Sequence, residues 1–288
     1  MKQGVLVYNH FLKLESYLRN IRLFMQGCQQ AGLLVELKSN AELACIVNSG
    51  FISRFPYQFA IFLDKDILLA QALEQNGVRV YNSSNAIRIC DHKGLTQIQL
   101  AGSSIPMPLT YCGPFSYSNI GYSDLSFLQK ESFPFPVVVK ECYGSLGQQV
   151  SLAHDKTQLE QIVTRLSPAP FLIQEYLPDT DGSDIRLFVI GGKCVAGMKR
   201  TNPSDFRANT EQGGCCIPYQ FTDKEAETAQ KVCQIIGLDF AGIDFIYSRG
   251  THYFIEANSN AMVHNLMECT GINLPFLIAQ MIRDDQNL

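Results

Sequence analysis

The segment from residue 240 to residue 258 restricts the fold of this chain more than any other part of the sequence. Two apolar runs flank a short polar turn, a pattern that predicts a β-hairpin. Three side chains that carry oxygen interrupt the apolar runs: Asp244, Glu256 and Asn258. Because an unpaired carboxylate is costly to bury, such acids usually bind a metal ion or meet a cationic side chain. A half-exposed hairpin with solvated acids is the structural alternative.

The length of the turn decides whether these three side chains lie on one face. Side chains alternate between the two faces of a strand, so Asp244 shares a face with Glu256 and Asn258 only if the turn holds an odd number of residues. Gly250 suits a three-residue turn with a bulge. We therefore expect that turn, and a hard-cation site of oxygen ligands for which Mg²⁺ is the preferred ion.

Composition excludes several classes of protein. The 288 residues are 46% hydrophobic and 17% charged, a soluble globular profile with room for two or three domains. The net charge of -4 and the absence of a Lys/Arg run argue against a nucleic-acid partner. No apolar stretch approaches the ~20 residues of a membrane helix, and the N-terminus lacks a signal-peptide core. The ten cysteines contain no Cys-x-x-Cys pair, so we expect reduced thiols in a cytoplasmic protein.

The first 88 residues alternate between strand and helix patterns, which predicts a small open α/β domain with a largely parallel sheet. The first helix is expected from Phe11 to Cys28, where apolar residues recur at three- and four-residue steps. No G-x-G-x-x-G turn is present, so this is not an evident dinucleotide-binding unit. The four strands are expected at Val5–Tyr8, Leu33–Leu37, Phe59–Leu63 and Val78–Tyr81.

The remaining residues predict two further units, which gives domains at 1–88, 89–173 and 174–288. The middle unit has strands near Phe135–Cys142 and Phe171–Tyr176 and a helix at Lys156–Leu166. The last unit begins with a hairpin over Gly191 and Gly192, a strong two-residue turn signal. With that turn, Asp184 is expected opposite Lys199, with Arg186 on the same face.

Two lysines and a glycine turn could bind phosphate. Lys140 lies on a strand that leads into Gly144-Ser145-Leu-Gly147, where glycines let backbone N–H groups approach phosphate oxygens. A glycine hairpin between strands is common, and the sequence is not a Walker A loop. Lys93 precedes a helix and could equally be a solvated surface lysine.

The order of these features is more specific than any one of them. A lysine before a helix, a strand lysine before Gly-Ser-x-Gly, Gln-Glu-Tyr, an Asp-x-Arg strand, an Arg-x-Asn loop and an Asp…Glu-x-Asn hairpin follow each other. This set resembles the ATP-grasp superfamily, in its RimK/LysX-type branch of carboxylate–amine ligases, over roughly residues 85–275. The resemblance implies an α/β (α+β) ATP-grasp fold with an N-terminal open α/β domain.

The resemblance also implies a role for each matching residue. Those expected to contact ATP are Lys93, Lys140, Gly144, Ser145, Gly147, Glu175, Tyr176, Leu177, Asp184, Arg207 and Asn209. One or two Mg²⁺ or Mn²⁺ ions are expected on Asp244, Glu256 and Asn258. Arg186 and Lys199 are expected to face the reacting carboxylate.

The implied reaction is ATP-dependent joining of a carboxylate to an amine through an acyl phosphate, on amino-acid or peptide substrates, with glutamate favoured by the branch. A D-amino-acid dipeptide ligase, a kinase and a non-catalytic nucleotide-binding scaffold remain alternatives, and the oligomeric state stays open. Two departures stand out. Gln149 replaces a glycine of the branch, and Ala261-Met262 replaces Pro-Gly, so we expect a reshaped acceptor pocket and do not carry over the amine substrate of the branch.

Overall fold

The computed structural model describes residues 3–49, 51–117, 122, 124–129, 134–144, 147, 149–180, 182–203, 207–208 and 214–286. Three main sheets follow one another along the chain. None of the helices in these residues is long and apolar enough to cross a membrane. The ten cysteines are free thiols.

The first sheet is parallel in all its pairings, as the alternating pattern predicted, with strand order β2-β1-β5-β6. Its elements and a small hairpin are β1 (Gln3–Tyr8), α1 (Glu15–Gln30), β2 (Leu34–Ser39), β3 (Val47–Asn48), β4 (Phe51–Ile52), β5 (Phe59–Leu63), α2 (Ile67–Gln75) and β6 (Arg79–Tyr81).

The predicted start of the first helix is wrong. The helix α1 begins at Glu15, and Phe11 is 76% exposed on the loop before it. The reason is Asn9, whose Oδ1 accepts hydrogen bonds from the backbone N–H groups of Phe11 and Leu12 at 2.9 and 3.2 Å. Such a side chain offers the backbone a turn in place of a helix.

The middle sheet is antiparallel, with strand order β7-β10-β8-β9. The elements of this part are α3 (Ser84–Asp91), α4 (Lys93–Leu100), β7 (Thr110–Cys112), a 3-10 turn (Ser126–Gln129), β8 (Val137–Glu141), β9 (Val150–Ala153), α5 (Lys156–Leu166) and β10 (Phe171–Glu175). The helix α5 has its predicted bounds, because Asp155 caps its first turn. The predicted domain boundary at residue 88 falls within α3, and the division into domains stays a prediction.

The third sheet is antiparallel and five-stranded, with order β13-β12-β11-β14-β15. The elements are a 3-10 turn (Pro178–Thr180), β11 (Ser183–Ile190), β12 (Lys193–Thr201), β13 (Cys215–Pro218), α6 (Asp223–Ile236), β14 (Phe240–Ser248), β15 (Thr251–Asn258), α7 (His264–Thr270) and α8 (Leu274–Asp284).

The hairpin β11–β12 has the predicted two-residue turn at Gly191 and Gly192, but its register is not the predicted one. The pairing shifts by one residue between Phe188 and Val189, a β-bulge in β12. Asp184 therefore pairs with Arg200, and the prediction that it pairs with Lys199 is wrong. One extra residue in a strand moves every later side chain to the other face.

The hairpin β14–β15 also differs from the prediction in its turn. Ser248 pairs with Thr251, so the turn holds two residues, Arg249 and Gly250, both with positive φ. The predicted three-residue turn is wrong. A shift of register between Asp244 and Phe245 leaves one extra residue, Ile255, in β15. This residue changes the direction of the side chains as a third turn residue would have done, so Asp244 lies directly opposite Glu256.

A buried asparagine ties the first sheet to the third. Asn82 follows β6 and is 1% exposed. Its Oδ1 accepts from the backbone N–H groups of Asp239 and Phe240, and its Nδ2 donates to the carbonyl oxygens of Phe240 and Ser259, at 2.7 to 3.2 Å. Ser259 adjoins the predicted metal ligand Asn258, so this contact connects the end of the N-terminal sheet to the segment that carries part of the candidate site.

Candidate active site

One pocket is lined by segments that flank all three main sheets. It brings together the predicted site residues Lys93, Lys140, Gly144, Gly147, Glu175, Tyr176, Leu177, Asp184, Arg186, Arg207, Asp244, Glu256 and Asn258. Lys199 is exposed and is not among the lining residues. Ser145 and Asn209 lie outside the described residues, so their predicted roles stay predictions.

Four lining side chains of alternating charge contact each other in the order Arg186, Asp244, Arg200 and Asp184. Arg186 donates to both carboxylate oxygens of Asp244, from Nε and Nη2, at 2.7 Å each. Arg200 donates to both oxygens of Asp184 at 2.6 Å each, and its Nη2 also lies 3.0 Å from Asp244 Oδ2. Two acids and two guanidiniums thus neutralise each other in a buried site.

Arg200 is the functional candidate that sequence reasoning missed. It occupies the position that was predicted for Lys199, because the bulge in β12 shifts the pairing by one residue. No residue type marks a bulge reliably in a single sequence. The available signal was that two cations, Lys199 and Arg200, are adjacent in one strand. Since neighbouring side chains point to opposite faces, either of them could enter the site.

Burial and charge shift the pKa values of the two acids in opposite directions. Burial raises the pKa of Asp244, but the guanidiniums of Arg186 and Arg200 outweigh it and hold the pKa below its usual value. Burial raises the pKa of Asp184, and the nearby charge of Asp244 adds to the shift against the attraction of Arg200. Asp244 is therefore the firmly ionised member of the pair.

The two lysines lie near Glu256. Lys93 Nζ is 3.0 Å from Glu256 Oε1 and donates to the carbonyl oxygen of Gly144, also at 3.0 Å. Burial lowers the pKa of Lys140 to about 8; the charge of Glu256 opposes this shift and that of Lys93 adds to it. An anion placed between the lysines would relieve both the burial cost and their mutual repulsion.

The glycine turn is attached to these cations through its backbone. Gly144 has a φ of +142°, and a Cβ built there would lie 2.5 Å from Gln149 Oε1. The carbonyl oxygen of Gly147 accepts a hydrogen bond from Arg207 Nη1 at 2.7 Å. Lys93 and Arg207 thus hold the two described glycines of the turn, and Gln149 packs against the first of them.

Both carboxylate oxygens of Glu175, another lining residue, already contact groups of the protein. Its Oε1 accepts from the backbone N–H of Leu109, and its Oε2 lies 3.1 Å from Arg249 Nη1. The backbone of Glu175 also pairs with Leu109, its N–H donating to that carbonyl at 3.0 Å. Because this side chain is occupied, the backbone of Glu175–Leu177 is the part left for a base to contact, and its role in adenine binding stays a prediction.

The oxygen ligands predicted for a metal ion share one face of the β14–β15 hairpin. Asp244 pairs with Glu256 and Gly242 with Asn258, so the three side chains project together. Among the described residues there is no cluster of three or more His, Cys, Asp or Glu side chains that could hold a metal ion. Two carboxylates and an amide fit a Mg²⁺ ion that also takes ligands from phosphates, the usual arrangement for this ion.

Comparison with known proteins agrees with this geometry. The family model described as a RimK-like ATP-grasp domain matches residues 116–282, more than half of the chain. N-acetylaspartylglutamate synthase A from Homo sapiens is 36% identical, over 68% of this chain and 50% of the relative. A protein of Shewanella oneidensis named probable alpha-L-glutamate ligase 1 is 31% identical, over 81% of this chain and 77% of the relative. The chain thus spans about half the length of the human relative.

Solved structures agree on the fold. The RimK domain ATP-grasp protein of Sphaerobacter thermophilus superposes with a TM-score of 0.72 at 18% sequence identity, over 97% of this chain and 98% of that one. At this identity the similarity shows the fold alone.

Proposed function

The chain belongs to the RimK-like ATP-grasp family, and on that basis we propose that it is an ATP-dependent ligase that joins a carboxylate to an amine. The observation that carries the proposal is that one pocket is lined both by a set of oxygen ligands and by a set of cationic side chains. Asp244, Glu256 and Asn258 share a face, and the cations lie around them. The cations of the lining that take part are Lys93, Lys140, Arg186, Arg200 and Arg207.

The proposed reaction has two steps, and both need charge neutralisation more than covalent chemistry by the protein. In the first, an oxygen of the substrate carboxylate attacks the γ-phosphorus of ATP, which gives an acyl phosphate and ADP. In the second, the amine attacks the acyl carbon, phosphate leaves, and the proton lost from nitrogen goes to the phosphate. The protein therefore has to bind a triphosphate, an anionic acid and a neutral amine at one place.

The residues of this chain divide that work. Lys93, Lys140 and Arg207 neutralise the phosphates, and the glycine turn that they hold excludes water from the reactive acyl phosphate. Arg186 and Arg200 orient the carboxylate and stabilise the oxyanion that develops on it. Mg²⁺ or Mn²⁺ on Asp244, Glu256 and Asn258, when bound, neutralises charge on the phosphates.

The substrates are amino acids or short peptides, and we expect them in the cytoplasm, where ATP is available. Relatives are named for glutamate products, a synthase of N-acetylaspartylglutamate and an alpha-L-glutamate ligase. In N-acetylaspartylglutamate the new amide joins an aspartyl carboxylate to the amino group of glutamate, so glutamate is the first amine to test and N-acetylaspartate the first acid. A D-amino-acid dipeptide ligase differs only in the substrates, so D-amino acids included in the same panel decide between them.

The test is Mg-ATP-dependent formation of an acyl hydroxamate when hydroxylamine replaces the amine. The purified protein is incubated with a panel of amino acids and dipeptides as acids, and ADP and hydroxamate are measured together. We expect both products with at least one acid, and their loss in Glu256→Gln. A stable phosphorylated product without hydroxamate would identify a kinase, and Mg-ATP binding without turnover on any acid would identify a nucleotide-binding scaffold.

A further inference from the structure

A histidine caps the first turn of α4, the helix that begins with Lys93. The residue before the helix is His92, and its Nδ1 accepts a hydrogen bond from the backbone N–H of Leu95 at 3.1 Å. Serine, threonine, aspartate and asparagine are the residues that usually fill this position, and none of them changes charge near neutral pH. A histidine makes the cap depend on the protonation state of its ring.

The hydrogen bond fixes the protonation state that the cap requires. Because Nδ1 faces an N–H donor, it has to present a lone pair, so the neutral ring carries its proton on Nε2. A protonated ring has an N–H at both nitrogens, and the one at Nδ1 would face the N–H of Leu95. The positive charge would also lie at the N-terminus of a helix, where the helix dipole opposes it. Protonation of His92 therefore removes the cap.

The same ring contacts the segment that leads into the glycine turn. The rings of His92 and Tyr143 meet edge to face, with centroids 4.9 Å apart. A Cβ built at Gly94 would lie 3.1 Å from His92 Cε1, so the ring packs closely over the first turn of α4. His92 thus joins the start of this helix to the residue that precedes Gly144.

The residue that His92 positions is Lys93. The backbone N–H of Lys93 donates to the carbonyl oxygen of Cys142 at 2.9 Å, and its Nζ donates to that of Gly144 at 3.0 Å. Cys142 and Gly144 flank Tyr143, the residue that the ring of His92 contacts. His92 itself is not among the residues that line the pocket, so it acts on the site through its neighbours.

The charges on α3 and α4 favour the neutral ring. Burial lowers the pKa of His92 below its usual value, and the charges of Arg88 and Lys93 add to this shift. A hydrogen bond with its own backbone and the charge of Asp91 oppose the shift, but Asp91 is already paired with Lys65. The ring is therefore neutral at pH 7 and gains a charge as pH falls through its lowered pKa.

The segment after β8 adds no charge beside the ring. It contributes the phenol of Tyr143 and the thiol of Cys142, and residues 142–149 contain no Lys, Arg, Asp or Glu. Burial raises the pKa of the Cys142 thiol to about 11. The charge that changes next to the start of α4 as the solution becomes acidic is thus that of His92.

From this geometry we propose that His92 is a positioning residue for ATP: its neutral ring fixes Lys93 against the glycine turn, and protonation of the ring weakens ATP binding. The inference rests on the proposed function, in which Lys93 neutralises the phosphates. The sign follows from the cap, which is present while the ring is neutral and is lost when Nδ1 takes up a proton.

The experiment measures Mg-ATP affinity by calorimetry without an acid substrate, so that no turnover occurs. At neutral pH we expect His92→Ala to weaken ATP binding by about fivefold, the effect of a typical cap, and His92→Asn to restore it to within about twofold, since asparagine is a good cap. From about pH 7.5 to about pH 5.5, wild type should lose affinity more steeply than His92→Asn, which does not titrate there. Protonation of ATP itself is common to both proteins. Equal pH dependence in the two would overturn the inference.

The matched control is Asp155→Ala. Asp155 caps α5 in the same way, by accepting from the backbone N–H of Gln158 at 2.8 Å, and does not line the pocket. We expect Asp155→Ala and His92→Ala to unfold at similarly reduced urea concentrations, but Asp155→Ala to bind ATP as wild type does. Reduced stability of His92→Ala with wild-type ATP affinity would make His92 a structural cap alone and contradict the proposal.

Nitrogen NMR of the histidine rings tests the protonation state directly. We expect the neutral ring of His92 to carry its proton on Nε2 and its signal to titrate together with the loss of ATP affinity. A proton on Nδ1 of the neutral ring would exclude the cap and with it the inference.

Failure of this inference is distinguishable from failure of the proposed function. If wild type binds Mg-ATP and forms hydroxamate, but the variants of His92 bind ATP as wild type does, the ligase function stands and the role of His92 is wrong. If wild type does not bind Mg-ATP, the proposed function is wrong and the inference falls with it.

Discussion

At the scale of single residues, Arg200 is the cation that contacts both buried acids of the site, Asp184 and Asp244. It binds Asp184 through two hydrogen bonds and approaches Asp244 as well. Lysine carries the same charge but cannot form the planar pair of bonds. The structure therefore separates the effect of charge from the effect of geometry at one position.

We expect Arg200→Lys to lower kcat/KM for the acid by about 100-fold and to destabilise the protein by about 3 kcal/mol or more, since a buried acid loses its bidentate partner. Hydroxamate formation and urea unfolding measure the two effects. Lys199→Ala is the control, because Lys199 is exposed, and we expect both quantities to stay near wild type. Equal losses in the two variants would show that the register of β12 is not the one described.

Lys140 gives a prediction about pH. Its pKa is lowered by burial to about 8, below that of an ordinary lysine, so it loses its charge as pH rises through that value. Triphosphate favours the charged form, so ATP binding near pH 8.5 to 9 should take up a proton. Calorimetry in two buffers of different ionisation enthalpy measures this uptake. We expect ATP affinity to fall by about tenfold between pH 7 and pH 9.

The matched variant is Lys140→Arg, because arginine stays charged over this range. Proton uptake should disappear in it, and ATP affinity should become independent of pH through this lysine. Uptake that persists in the variant would assign the titration to another group.

At the scale of elements, the sequence predicted the bounds of several helices and strands but not the registers of the two hairpins in the third sheet. The helix α5 was predicted residue by residue, since a cap and an apolar period mark it locally. The positions of the four strands in the two hairpins were predicted as well, whereas β13 (Cys215–Pro218) was not. The registers were not, because a bulge adds one residue without a signature, and it decides that Arg200 and not Lys199 enters the site.

The same limitation had no consequence in β14–β15. There the turn is one residue shorter than predicted, and a bulge within β15 adds one residue that was not predicted. The two differences cancel, so Asp244 still shares a face with Glu256 and Asn258. The order of motifs along the chain predicted the pocket, since order survives a shift of one residue. Pairwise contacts do not survive it, which is why the partner of Asp184 was predicted wrongly.

The oxygen face of this hairpin leads to a prediction about metal binding. Both oxygens of Asp244 accept from guanidiniums at 2.7 Å, and Glu256 is paired with Lys93. A divalent ion alone would have to displace these cations, whereas ADP or ATP attracts them toward phosphate. We expect Mn²⁺ to bind at least about tenfold more weakly without nucleotide than with ADP, a difference of about 1.4 kcal/mol.

Electron paramagnetic resonance of Mn²⁺ measures this without turnover. In Glu256→Gln, binding in the presence of ADP should weaken strongly. Mn²⁺ affinity that is equal with and without ADP would contradict the competition between cations and metal.

At the scale of the whole molecule, the site depends on how the N-terminal sheet is held against the C-terminal one. The pocket is lined by residues of both parts, among them Tyr17 on α1 and Ala261 after β15, so a small rotation between the parts would widen it. Three contacts oppose such a rotation. Asn82 binds the start of β14 and Ser259, Tyr81 donates its hydroxyl hydrogen to Asp285 at 2.6 Å, and Arg79 is paired with Asp239.

Of these contacts, Asn82 gives the sharpest prediction, since it is fully buried and its partners are backbone groups. Asn82→Ala leaves buried N–H and C=O groups of Asp239, Phe240 and Ser259 without this partner, and each such group costs about 1 to 3 kcal/mol. We expect a loss of about 3 kcal/mol in urea unfolding. The matched control is Asn85→Ala, an exposed position for which we expect about 0.5 kcal/mol or less.

The functional part of this prediction follows from Ser259, which adjoins the metal ligand Asn258. If Asn82 only stabilised the fold, Asn82→Ala would unfold more easily, but the folded fraction would bind Mn²⁺ with ADP normally. Because Asn82 also fixes the segment that carries Asn258, we expect weaker Mn²⁺ binding at temperatures where the variant is fully folded. Loss of stability alone, with Mn²⁺ binding intact, would restrict Asn82 to a structural role and assign the alignment of this segment to the contact between Asn20 and Val263.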